Sequence, residues 1–303
     1  MGLLSNVDAS ILKMELEHGF KIQSMPTREA IRTISGLERN LPLGAVQEKL
    51  VIDYKCLNSD EQHLFFISHS IETDVQKDVP IRSRRVNKEL NNFYKLRTDY
   101  LYPVIRKMRL FKEGNIEMPL QYYYYIDNET PRSFMSLGTN RVISRELYNI
   151  KKSELPELYK FLIETNLPFK RDYLNLALRN YELSYQMSYD TISFMTIMLS
   201  LESLFNRADQ HELTYSISRN AAVLLGKNLV DSKTIFNDIK YLYGIRSSIV
   251  HKGTSSKLKH EDVLRLRQYI RDSIKIMCNI DMEKDDILDK ITSLGFGEGA
   301  SIT

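Results

Sequence analysis

The sequence predicts an α+β protein: a mixed strand-and-helix domain over residues 1–150, then an all-α bundle over residues 151–303. Three observations lead there. All eight prolines lie at or before Pro168, and the rest of the chain contains none. Proline removes a backbone donor and breaks helices, so a long proline-free tract permits uninterrupted ones. The first half holds short runs of β-branched and aromatic residues, whereas the second holds apolar residues at three-four spacing. The length of 303 residues agrees, being too great for one minimal core.

Within the first half, Pro26-Thr27-Arg28-Glu29 opens a helix through Leu37. Leu50-Val51-Ile52-Asp53-Tyr54 and Leu64-Phe65-Phe66-Ile67 read as strands, and Arg84 to Arg106 as a further helix. Gln121-Tyr122-Tyr123-Tyr124-Tyr125-Ile126 reads as a strand bounded by Pro119 and Asp127-Asn128. Its four tyrosines fit either a base-stacking platform or a strand half covered on both faces.

Helices follow one another in the second half. Ser153-Glu154-Leu155-Pro156 starts one with a capping residue and a proline in the first turn. Asp172 to Gln186 carries Leu174, Ala177, Leu178, Tyr181 and Tyr185 on one face. Asp190 caps the next helix, whose stripe is Phe194, Ile197, Met198, Leu201 and Phe205. Leu213 to Leu225 stops at Gly226, a usual terminator. Asp231-Ser232 starts a helix that runs to His251 and ends at Gly253, and His260 to Asn279 forms another. The glycine-rich tail, Gly295 to Gly299, lacks the strand and helix that a phosphate loop requires, and reads as a frayed terminus.

Composition narrows the function classes. Lys and Arg number 42 against 39 acidic residues, a net +3, so a nucleic-acid partner would need a local patch. Two cysteines, Cys56 and Cys278, make neither a disulfide framework nor a cysteine-based zinc site, and a reducing cytosol is the expected compartment. His63 and His69 share a strand face but lack a third ligand, so no metal or other cofactor is expected. Residues 1–6 are uncharged and lead into no apolar run, so no secretory signal is expected. The most apolar stretch, Ile192 to Leu201, is about half the length of a membrane span, and no membrane partner is expected.

Charges in apolar stripes single out the candidate site. Ile235, Ile239, Leu242, Arg246 and Ile249 follow steps of four, three, four and three, so Arg246 interrupts a buried line. A guanidinium cannot escape burial by losing its proton, so it needs a partner or a cleft. Glu202 lies in the stripe of Met195, Met198, Leu199 and Phe205, and Arg219 sits between apolar neighbours. A structural ion pair between Glu202 and Arg219 accounts for two of the three charges and leaves Arg246 over. His251 ends its helix, where the dipole favours a positive charge; it suits either a proton-transfer residue or a plain charge complement. It lies about 140° around the helix from Arg246. The two meet at one phosphate if the helix end loosens or if a second subunit closes the site.

Arg246-Ser247-Ser248-Ile249-Val250-His251 resembles the R-x4-6-H motif of HEPN domains (higher eukaryote and prokaryote nucleotide-binding). The run from Ile239 to Gly253 is similar to the motif helix of the Apea-like branch. Ser200-Leu201-Glu202-Ser203-Leu204-Phe205, Ser216 to Gly226 and Leu266 to Arg271 resemble its other helices in the right order, over about residues 155–280. The resemblance implies an all-helical HEPN bundle that dimerises through its motif helices. Many members cleave single-stranded RNA without a metal, as toxins or in defence against phage, at a composite site built from both subunits. Arg246 and His251 would then be catalytic, with Ser247 and Lys252 supporting the phosphate and Glu202 and Arg219 as structural charges behind them. A phage-derived trigger and a sensing or restraining role for residues 1–150 would fit such a protein.

These residue types suit that chemistry. A guanidinium grips two phosphate oxygens, and an imidazole moves the proton of the ribose 2′-hydroxyl or of the leaving oxygen. Ser247 stands where active members often carry a larger polar residue, so its hydroxyl offers less reach. From Arg246 to Lys275 there are eight Lys or Arg against Glu261, Asp262 and Asp272, which suits RNA or, alternatively, a solvated helix face. The alternative function is a catalytically inactive module of the same fold that binds RNA, a nucleotide or a protein.

Overall fold

The computed structural model divides the chain into two units, Met1–Glu164 and Thr165–Thr303. It describes residues 1–37, 41–53, 56, 63–70, 91–92, 95–127, 130–138, 146–207, 213–254 and 256–299, with the backbone alone at 53, 125–127 and 130–138.

The first unit is built on a five-stranded antiparallel sheet in the order β2-β3-β1-β4-β5. The strands are β1 (Gly2–Ser5), β2 (Lys21–Pro26), β3 (His63–Ser68), β4 (Glu117–Asp127) and β5 (Thr130–Gly138). Side chains alternate between faces along a strand, and here both faces of the central strands are covered. Leu3, Leu64, Phe66, Leu120 and Tyr122 enter one core, with Ile31 and Ile34 of α1 (Thr27–Leu37). Leu4, Phe65 and Ile67 enter the other, with Val104, Ile105 and Met108 of α3 (Tyr102–Phe111). This double coverage explains the unbroken apolar run of β3. It also decides the tyrosine question for the described side chains. Tyr122 and Tyr123 are buried and Tyr124 is half-buried, so they are packed and not an open platform. Arg97 reinforces the wall, donating to Gln121 and to the Tyr123 hydroxyl.

Leu50-Val51-Ile52-Asp53 is not a strand. It continues α2 (Leu43–Glu48) as a π-helical turn, Lys49–Asp53. Val46 and Leu50, four apart, are buried while Ile52 is exposed, which is a helical and not an alternating pattern. Of the expected helix over Arg84–Arg106, positions 84–90 and 93–94 lie outside the described residues; Arg97–Leu101 forms a π-helical turn that leads into α3.

Helix α4 (Leu155–Glu164) corrects the domain boundary. It belongs to the first unit and not to the bundle, so the division falls at Glu164 rather than at residue 150. Leu158 is fully buried in the α3-side core, Phe161 packs on Phe111, and Lys107 donates to the Leu162 carbonyl. A 3-10 turn, Lys152–Glu154, leads into it, and Glu154 accepts from the Lys151 amide at the start of that turn.

The second unit is helical throughout its described residues: α5 (Asp172–Ser184), α6 (Asp190–Phe205), α7 (Leu213–Leu225), α8 (Leu229–Lys252), α9 (His260–Met277) and α10 (Lys284–Ser293). The predicted stripe of α6 is buried at all five positions. Small side chains bring α5 and α6 together: Ser193 Oγ donates to Ser184 O, and Ser200 Oγ to Ala177 O. Asp190 is the first residue of α6 rather than its cap, and its carboxylate meets His260 Nδ1 at 3.1 Å. The tail is docked, not frayed. Phe296 packs on Phe236, Gly297 donates to Ser232 Oγ, and Gly299 lies directly against the Val223 carbonyl.

Candidate functional site

Helix α8 positions the candidate site. Asn228 caps it by accepting from the Asp231 amide, and the helix stays regular for 24 residues to Lys252. Gly253 terminates it at φ 63°, a left-handed conformation that glycine adopts without the Cβ penalty, while its N–H donates to Ile249 O. Along the inner face Ile235, Ile239 and Leu242 are buried, but Ile249 is only half-buried. The stripe therefore leaves the core at the turn that carries Arg246.

Arg246 is consequently neither lost in the core nor free. Its Nη2 meets Glu202 Oε1 at 3.0 Å, with the two side chains 32% and 20% exposed. Glu202 comes from the last turn of α6, and it also accepts a long hydrogen bond from the Tyr243 hydroxyl at 3.5 Å. Burial, then the adjacent Glu202 charge, push the Tyr243 hydroxyl far above its usual range, so it stays a donor. The three groups form one partly solvated cluster in which a carboxylate holds the guanidinium from the α6 side.

The expected Glu202–Arg219 pair does not form. Arg219 donates to the Ile291, Thr292 and Leu294 carbonyls at the end of α10, where carbonyls lack intrahelical partners. Its role is to hold α10, and it takes no part in the site. His251 is exposed in the last turn of α8, as are Ser247 and Lys252. Ser248 returns its hydroxyl to the Gly244 carbonyl. Because α8 is regular to Lys252, Arg246 and His251 of one chain remain about 140° apart around the axis and roughly 7.5 Å along it. The helix end does not loosen to bring them together.

Within the positive run after Arg246, the four cations of α9 are buried or paired. Arg267 is 2% exposed, donates to Ser184 Oγ, Ser184 O and Ser193 Oγ, and lies 3.8 Å over the Tyr185 ring. Arg271, one turn on, is also buried. Arg265 bridges Asp238 and Asp262, and Lys275 pairs with Asp272. The arginines of α9 thus brace the bundle, a role that composition could not distinguish from a surface field. Among the described residues no group of three His, Cys, Asp or Glu side chains is arranged to hold a metal ion, and no helix is long and apolar enough to cross a membrane.

Comparison of the chain with protein-family models, curated proteins and solved structures returned no match.

Proposed function

We propose that this protein is a metal-independent endoribonuclease of HEPN type, acting on single-stranded RNA at a site shared by two copies of the chain. One observation carries the reading: Arg246 breaks an apolar stripe where α8 leaves the core, and it keeps a third of its side chain in solvent, one turn before an exposed histidine.

The chemistry divides between the two residues. Arg246 grips non-bridging phosphate oxygens and offsets the charge that develops on them. His251 takes the proton of the 2′-hydroxyl, or returns one to the departing 5′-oxygen. The 2′-oxygen attacks phosphorus, the bond to the 5′-oxygen breaks, and the products are a 2′,3′-cyclic phosphate and a 5′-hydroxyl. The requirement for a 2′-hydroxyl selects RNA over DNA. The fixed helical angle between the side chains is the reason for two copies: an arginine from one and a histidine from the other can face a single phosphate. Toxicity or antiphage defence, released by a trigger acting on the first unit, is the biological setting we infer from this chemistry.

A second reading has its own observation. Glu202 supplies the partner that Arg246 would otherwise lack, which favours a non-catalytic module binding RNA, a nucleotide or a protein. Incubation of the purified protein with end-labelled single-stranded RNA and a chelator separates the two. Cleavage that is lost in both Arg246→Ala and His251→Ala supports the nuclease, whereas binding without cleavage supports the module.

A further inference from the structure

Eight cations lie between Arg246 and Lys275, and the fold removes five of them from competition for an outside anion. Arg246 faces Glu202, Arg265 faces Asp238 and Asp262, Lys275 faces Asp272, and Arg267 and Arg271 are buried. Lys252, Lys257 and Lys259 remain. All three are exposed, and no ion pair engages them among the described residues. They sit on the connection between α8 and α9, directly after the exposed His251.

Helix electrostatics account for only the first. Lys252 lies in the last turn of α8, where a cation complements the negative end of the helix. Lys257 lies beyond that turn. Lys259 occupies the cap position of α9, the positive end, where helices favour anions, and its ammonium makes no capping bond. Two of the three lysines therefore stand where the local backbone does not reward them. Residues 251–259 contain no carboxylate; just beyond them Glu261 is exposed, while Asp262 is held by Arg265 and the Lys259 amide.

We propose that Lys252, Lys257 and Lys259 form the strand-guiding surface of the protein, binding the phosphates of single-stranded RNA that flank the one presented to His251. The inference rests on the RNA reading above but not on cleavage.

The test is a salt series. Binding of a labelled oligouridylate to the full chain is followed by fluorescence anisotropy in a His251→Ala background, with and without Lys252→Gln, Lys257→Gln and Lys259→Gln together. Neutralising three phosphate contacts on a single strand should reduce the slope of log K against log salt by about 2, and weaken binding about 100-fold near 0.1 M salt. A control triple change at the exposed first-unit lysines Lys13, Lys21 and Lys160 should leave both values unchanged. An unaltered slope in the loop variant overturns the proposal, and does so even where the wild type cleaves RNA. The expected slope change without wild-type cleavage upholds the strand surface and removes the nuclease reading instead. Absence of RNA binding in every variant overturns both.

Discussion

Arg246 and Glu202 define what the account claims at the scale of single residues. The carboxylate lies 3.0 Å from the guanidinium that is to grip phosphate, so it competes with the substrate for that charge. Glu202→Gln should therefore tighten binding of labelled RNA a few-fold, measured in a His251→Ala background; weakened binding would show that the carboxylate is needed to aim the arginine. The pair is partly solvated, so the same change should cost no more than about 1 kcal/mol of stability in denaturant titration. Cys278 supplies a prediction free of the site. Burial pushes its thiol up to about 11, so the thiolate that reacts with alkylating reagents is about a thousandfold minor species at pH 8. Iodoacetamide labelling of the native protein, followed by mass spectrometry, should be slow there and accelerate as pH approaches 11. Because burial favours the protonated form, the linked stability is intact at neutral pH and is lost as pH rises through that value.

Helix ends decide most of what happens at the scale of elements. Arg219 holds the final carbonyls of α10 with three hydrogen bonds, the shortest 2.7 Å. Arg219→Ala should cost about 2–3 kcal/mol in chemical denaturation and raise amide exchange first in α10. No loss of stability would mean that α10 is held by its apolar face alone. This same contact shows why the sequence misled at Arg219. Nothing in the short Lys284–Ser293 segment announced a helix, so Glu202, the other charge set in an apolar stripe, looked like the natural partner. The helices legible in the sequence carry apolar stripes or clear end signals, α6 over 16 residues and α8 over 24 among them. β1, four residues long, is too short to display a period. Leu50 to Asp53 reads as a strand by residue type, yet it extends a helix because its buried positions are spaced by four. The tail follows the same logic: its contacts with Val223, Ser232 and Phe236 lie far away in the chain, and glycine-rich composition conceals them.

Taken whole, the chain separates a sheet-based unit from a helical one, as the proline distribution anticipates. The boundary moved because α4 buries Leu158 under the sheet, and periodicity cannot say which core an amphipathic helix will join. For the site, the sequence disclosed which residues are anomalous but not how their charges are satisfied; pairing is a property of helices that meet only in three dimensions. The central claim is likewise one of assembly. Arg246 and His251 diverge on one regular helix, and the proposed mechanism takes its productive pair from two copies. Mixing Arg246→Ala protein with His251→Ala protein under subunit-exchanging conditions tests this most directly, with cleavage of end-labelled single-stranded RNA as the measurement. Each variant alone should be inactive, and the mixture should recover a substantial fraction of wild-type cleavage from heterodimers that hold one intact arginine–histidine pair. Mixed dimers that form, bind the RNA and leave it uncut would contradict the account.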